Sequence, residues 1–253
     1  MVELERDGGV ARIFLNRPQK VNALDTALLD ELARRLERLA DDDSLRVVVL
    51  GGRGRAFCGG ADVGELGALE PASARAFVGR IHRVCAALRA LPVPVVARLH
   101  GAVIGAGLEL AAACDLRIAA RGTRFAMPEV RLGIPSVVEA ALLPRLMGFG
   151  RAAWLVLTGE PIDAERAYQW GLVEALADET ALDQTVSSVV NTLVAAERAA
   201  LRTQKELLHM WEELPLAESV AASIARFGDA YAGGAAAARI RHTISRAKSR
   251  KAH

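Results

Sequence analysis

The spacing of apolar residues changes period along the chain, and each change marks an element. Residues 10–15 (VARIFL) and 45–50 (LRVVVL) are short, β-branched and apolar, which predicts strands. Between them, from about residue 25 to residue 40, Leu28, Leu32, Leu36 and Leu39 recur at spacings of three and four. Asp30 and Glu31 stand three or four residues ahead of Arg34 and Arg35, so this stretch reads as an amphipathic helix with ion pairs on its wet face. The cycle repeats in a helix over about 72–89, the Pro-bounded strand VPVVARL at 93–99, a glycine-rich turn, the helical LELAAAC and the strand DLRIAA. Alternating strand and helix predict an α/β fold. Beyond about residue 136 strand signals fade, apart from GLVEAL at 171–176, and helical periodicity dominates from residue 179. No fixed-period repeat or low-complexity linker divides the chain, which reads as one domain with a helical C-terminal extension.

Composition narrows the function classes. With 253 residues, 52% hydrophobic and 25% charged, the chain suits a soluble globular protein and not a disordered one. Lys plus Arg number 32 against 30 for Asp plus Glu, a formal net charge of +2, which is too balanced for a dedicated nucleic-acid binder. Only the end is biased: Arg239, Arg241, Arg246, Lys248, Arg250 and Lys251 form a basic tail, read as a solvated terminus. Cys58, Cys85 and Cys114 are odd in number and far apart, without metal-ligand spacing, so we expect no metal site and a reducing, cytoplasmic setting. The opening MVELERDGG carries charges where a secretory leader needs an apolar run, and no stretch reaches 18 uncharged apolar residues, so neither export nor a membrane span is expected.

Two glycine-rich segments and three acids hold the candidate chemistry. HGAVIGAGLEL at 100–110 lacks both the third glycine of a dinucleotide fingerprint and the Lys-Ser/Thr of a phosphate loop. Gly105 and Gly107 suggest a tight turn into a helix whose first N–H groups stabilise an oxyanion, or a helix packed closely on a strand; both readings stay open. GGRGRAFCGGAD at 51–62 reads as a shaped loop whose amides supply a second donor, since Phe57 and Cys58 are poor tenants of a mobile surface loop. Glu109, Glu129 and Glu139 have no basic residue three or four positions away, unlike the surface acid Glu31. Burial without a partner raises a carboxyl pKa toward values useful for proton transfer, making them general acid/base candidates; the alternative for each is a distant arginine brought close by folding. No G-x-S-x-G elbow is present and no histidine has the context of a base; Cys58 reads as a small packed residue rather than a nucleophile.

In order along the chain, LNRPQKVNAL (15–24), RAFCGGAD (55–62), HGAVIGAGLELAAACD (100–115), FAMPEVRLGIP (125–135) and LTGEPIDAERAYQWGLV (157–173) resemble signatures of the enoyl-CoA hydratase/isomerase (crotonase) superfamily. The resemblance implies an α/β spiral of β-β-α turns at 1–195 carrying an acyl-CoA site, and a helical region at 196–253 that mediates homotrimers, often paired into hexamers. It implies an acyl-CoA thioester as substrate, a place in fatty acid metabolism, and no metal or redox cofactor, coenzyme A entering as part of the substrate. In such enzymes two backbone N–H groups hold the thioester oxygen, and the matching positions are Ala61 and Ala106. The two glutamates of hydratases match Glu109 and Glu129, 20 residues apart (129 − 109). The coenzyme A end is expected against Ala23 and Gly60, Ala61, Asp62, Val63 and Gly64. The implied reaction is syn addition of water to the 2,3 double bond of a trans-2-enoyl-CoA. A Δ3,Δ2-enoyl-CoA isomerase, which needs one base, and a non-catalytic acyl-CoA-binding or RNA-binding member are the alternatives.

The chain also departs from the family pattern. Pro135, Ser136, Val137, Val138 and Glu139 replace the usual Pro-Gly-Ala-Gly-Gly, which implies a different acyl pocket. Glu139 is expected there as a third pocket carboxylate or as the ion-pair partner of a neighbouring subunit. Val137 stands where dienoyl isomerases place an acid, Gly64 where a basic residue is common, and AYAGGAAAARIRH lacks the usual acidic and aromatic tail.

Overall fold

The computed structural model describes residues 1–251, with side chains through residue 245. The side chains of Arg246, Lys248, Arg250 and Lys251 in the basic tail therefore lie outside the described residues. The chain divides into two compact units, Met1–Ala195 and the segment from Ala196 onward.

In the first unit, strands β1 (Val2–Asp7), β2 (Val10–Leu15), β3 (Val47–Gly52), β4 (Val95–Leu99), β6 (Leu116–Ala120) and β9 (Ala175–Ala177) form one sheet in the order β1-β2-β3-β4-β6-β9. Only the β1–β2 pair is antiparallel. A second, three-stranded sheet holds β5 (Ala102–Ile104), β7 (Arg124–Ala126) and β8 (Ile162–Asp163). After β4 the chain enters β5 and after β6 it enters β7, while Cys58, just beyond β3, bridges in parallel to Val103 of β5. This succession is the β-β-α spiral.

The large sheet is buried on both faces, so its central strands read as continuous apolar runs. Val48 and Leu50 pack in the main core with Leu28, Leu32 and Leu36 of α1 (Thr26–Ala40) and Phe77, Val84 and Leu88 of α3 (Pro71–Ala90), which follows the short α2 (Val63–Leu66). Val47 and Val49, one position out of phase, join Val96, Ile118 and the residues Leu182, Val186 and Val190 of α8 (Leu182–Ala195). Side-chain alternation along a strand thus assigns successive valines to different cores. The intervening helices are α4 (Ala106–Ala112), α5 (Leu143–Met147), α6 (Phe149–Thr158) and α7 (Ala164–Gln169).

Helix α1 is capped by Asp25, whose carboxylate accepts the Leu28 N–H at 2.8 Å. Glu31 and Arg35 form the expected pair at 2.8 Å, but Asp30 instead reaches Arg80 of α3 at 3.3 Å. Strand β1 lies at the sheet edge with only Val2 buried, and its alternation stops after Val2 and Leu4. Strand β9 is shorter and later than GLVEAL suggests, since Gly171 adopts φ +82 and Leu172 and Val173 turn into the core before pairing begins. All three cysteines are free and buried. Among the described residues no helix is long and apolar enough to cross a membrane.

The second unit is helical: α9 (Arg198–Glu213), α10 (Leu216–Asp229) and α11 (Ala235–Lys251). Trp211 of α9 donates to Ser223 Oγ of α10 at 2.9 Å. Trp211, Leu216, Val220, Ile224 and Phe227 line an apolar groove of about 680 Å³, and Leu216, Ile224 and Phe227 stay largely exposed.

Candidate active site

Backbone hydrogen bonds bring the two glycine-rich segments together. Phe57 N–H donates to His100 O at 2.8 Å, Cys58 N–H to Ala102 O at 3.0 Å, and Ile104 N–H to Cys58 O at 3.0 Å. Asn22 anchors the other side, donating from Nδ2 to Arg53 O at 2.9 Å and Ala56 O at 2.8 Å while it accepts the Arg17 N–H. Gly60, at φ +98, lies directly on the turn into α4: a Cβ there would sit 2.9 Å from Ile104 O and 3.9 Å from Ala106 N. The N–H groups of Ala61 and Ala106 flank this contact, and among the described residues neither donates to an acceptor. An amide left without an internal acceptor can donate to a ligand oxygen.

The glycines of α4 serve both readings left open above. Gly105 caps the helix at φ +51, and a Cβ there would overlap the Glu129 carboxylate. Gly107 permits close packing, since a Cβ would approach Cys58 O to 2.6 Å and Cys58 Cβ to 2.8 Å. Burial pushes the Cys58 thiol up to about 12, which leaves it inert as a nucleophile.

Glu109 projects from α4 and Glu129 from the 3-10 turn Glu129–Leu132. Glu109 is 4% exposed, while Glu129 is half-buried and accepts the Ser136 hydroxyl at 3.0 Å. Burial first, then the nearby Glu129 and Glu139 carboxylates, push Glu109 up to about 8, against the Ala140 N–H that stabilises its charge. The three acids singled out by their lack of local partners therefore form one electrostatic group. Glu139 has a partner within the chain: His82 of α3, 57 residues away, meets its Oε1 at 2.8 Å. Periodicity could not reveal this contact, because His82 lies on a different helix and its side chain is 62% exposed. Ser136 and the Ala140 amide were missed for a related reason: the altered stretch contains no charged residue except Glu139.

The altered stretch also lines an apolar groove of about 590 Å³ with Val130, Phe149, Val156 and Leu157. Val138 occupies the left-handed region at φ 41, where the usual glycine would be unstrained. On the other side, Leu24 N–H donates to Gly60 O and Asp62 N–H to Leu24 O, both at 2.8 Å, which sets Ala23 beside the 60–64 loop. Arg17 ties this corner, reaching Ala23 O at 2.5 Å, Asp25 at 3.1 Å and Asp62 at 3.2 Å. Burial raises the Asp62 carboxyl, but Arg17 and the Gly64 and Glu65 amides outweigh it and hold Asp62 below its ordinary value. Asp62 also caps α2 by accepting Gly64 N–H at 3.0 Å, and Val63 and Gly64 are exposed. Among the described residues no group of three or more His, Cys, Asp or Glu is arranged to hold a metal ion.

A β-β-α spiral with unpaired amides from two loops, one acid on the adjoining helix and a second on the turn packed against it defines a crotonase-type α/β protein. The chain belongs to the enoyl-CoA hydratase/isomerase family, whose model matches residues 5–235. It is 32% identical over 232 residues, 91% of this chain and 89% of the relative, to the short-chain-enoyl-CoA hydratase of Clostridium acetobutylicum. It is 33% identical over 204 residues, 80% of this chain and 78% of the relative, to the crotonyl-CoA hydratase of Syntrophomonas wolfei. The crystal structure of enoyl-CoA hydratase from Mycobacterium smegmatis superposes with a TM-score of 0.94 at 33% identity, covering 97% of this chain and 96% of that one.

Proposed function

We propose that the protein is an enoyl-CoA hydratase that adds water in syn fashion across the 2,3 double bond of a trans-2-enoyl-CoA. The observation that carries this reading is the apposition of Gly60 to the Ile104–Ala106 turn with the Glu129 carboxylate packed on Gly105. This approach supports a site in which the Ala61 and Ala106 amides and an acid share one substrate atom group. The Ala61 and Ala106 N–H groups take the thioester oxygen, where negative charge develops as water adds to C3. A donor of this kind is worth about 3 kcal/mol in the transition state.

Burial and the neighbouring Glu129 and Glu139 carboxylates disfavour the ionised form of Glu109, which keeps its proton near neutral pH. A syn addition uses this state: one acid takes a proton from water and the other delivers one to C2. Glu109, pushed up to about 8, is the member that holds the proton in the free protein. Ala23, Gly60, Ala61, Asp62, Val63 and Gly64 are assigned to the coenzyme A end, supported by the hydrogen-bonded approach of 22–24 to 60–62. No cofactor beyond the substrate's coenzyme A is invoked. Exposed Leu216, Ile224 and Phe227 support self-association of the helical unit as a trimer or hexamer, and the separated free thiols support a cytoplasmic location.

The test is a panel of trans-2-enoyl-CoA thioesters followed by loss of enoyl absorbance, with 3-enoyl thioesters included to reveal isomerisation. Glu129→Gln should reduce hydration by at least ~10³-fold and Glu109→Gln by ~10²-fold or more. Wild-type rates in both variants remove the two-acid mechanism. Turnover of 3-enoyl thioesters alone assigns the isomerase reaction instead.

A further inference from the structure

The buried residue Glu139 has no role in the reaction as written. It is 7% exposed, its Oε1 contacts His82 Nδ1 at 2.8 Å, and its Oε2 is buried with no hydrogen-bond partner. The next residue, Ala140, donates its N–H to Val137 O at 3.0 Å, and that amide also favours the charged form of Glu109. The 3-10 turn Val138–Leu142 packs on α4, α3 and α5. From α4 it meets Glu109, and from α3 it meets His82 and the Cys85 thiol; α5 carries Arg145, and Glu129 lies on the preceding turn. Burial, then Glu139 and Glu109, hold the Cys85 thiol well above its ordinary value, so it stays neutral and supplies no counter-charge. The other bases of α3 near this face point elsewhere: Arg80 to Asp30 and Arg83 to Glu37.

We propose, on the hydratase reading of the site, that Glu139 and His82 are a positioning pair, in which Glu139 sets a negative charge behind Glu109 and His82 links that charge to solvent. Glu139 touches neither reacting atoms nor substrate in this assignment. It acts through Glu109, by making loss of the Glu109 proton harder. The His82 side chain is largely exposed to water, and its Nδ1 contacts Glu139. The pair stands at a position where the family pattern has glycine, so it sets this chain apart from hydratases that hold only two acids.

The experiment is a carboxyl ¹³C NMR titration of the ligand-free, full-length protein labelled at glutamate, with the Glu109 signal identified by its loss in Glu109→Gln. Glu139→Gln, which keeps the side-chain shape, should lower the Glu109 midpoint by about one pH unit. Glu139→Gly, which restores the family residue, should lower it similarly and serves if the glutamine variant does not fold. His82→Gln leaves the Glu139 charge in place and should not lower the midpoint. An unmoved midpoint in the Glu139 variants, or an equal fall in His82→Gln, overturns the proposal. This readout needs no turnover, so it separates failure of the pair from failure of the hydratase reading. With enoyl-CoA as substrate, the Glu109 limb of the kcat–pH profile should move to lower pH by the same interval.

Discussion

Segments 57–62 and 135–142 border the same site but are held there by different forces. In the first, backbone atoms do the positioning: Phe57, Cys58 and Gly59 donate to His100, Ala102 and Val21 carbonyls, and Asn22 secures Ala56. In the second, side chains do it: Ser136 on Glu129, Glu139 on His82, and Val138 held at a φ that suits glycine. A backbone-built region tolerates side-chain change except where a Cβ has no room. A side-chain-built region depends on charge and titrates. The proposed oxyanion cradle should thus be sensitive to shape and the acid group to pH.

Three substitutions test that division. The largest effect is expected from Glu109→Gln on stability. An unfolded Glu titrates near 4.5 and Glu109 near 8, so between these values the folded protein retains a proton that the unfolded chain gives up. The wild type therefore loses stability as pH rises from about 4.5 to 8 and levels off above. Glu109→Gln removes this penalty, which is on the order of several kcal/mol. Urea unfolding at pH 5 and pH 9 should show little difference between the two proteins at the lower pH and a clear gain for the variant at the higher one. Equal gains at both would mean that packing, not charge, governs the acid group.

Gly105→Ala should come next. The added Cβ overlaps the Glu129 carboxylate and strains φ +51, displacing an acid and the Ala106 amide together. A fall in kcat of roughly 10²-fold or more is expected, measured as enoyl-CoA hydration. Retained activity would contradict the close approach of cradle and acid. Ser136→Ala should be mildest: it removes one hydroxyl from Glu129, a contact worth about 1 kcal/mol, and should slow kcat several-fold with little effect on melting temperature.

Much of the fold was legible because its cues are local. The leucine spacing of α1 depends on neighbours within a few residues, and the apolar runs of β2, β3, β4 and β6 mark strands that prove to be buried on both faces. Strand β1 gives a weak signal, because an edge strand with one buried residue sustains its alternation only over Val2 and Leu4. The acids Glu109, Glu129 and Glu139 were marked by the absence of nearby bases, and that signal located the electrostatic group. It could not name the partner of Glu139, which is a histidine from another helix rather than an arginine.

The amino-acid order by itself determined which segments become strands and helices, where glycine is required, and which acids have no local counter-charge, since these follow from interactions between residues close in the chain. Only the tertiary structure decided that the amides of 61 and 106 flank one contact, that Glu139 pairs with His82, and that Glu109 holds its proton to about pH 8. Those outcomes depend on desolvation and charge separation between residues tens of positions apart, distances that exist only after the chain has closed its spiral.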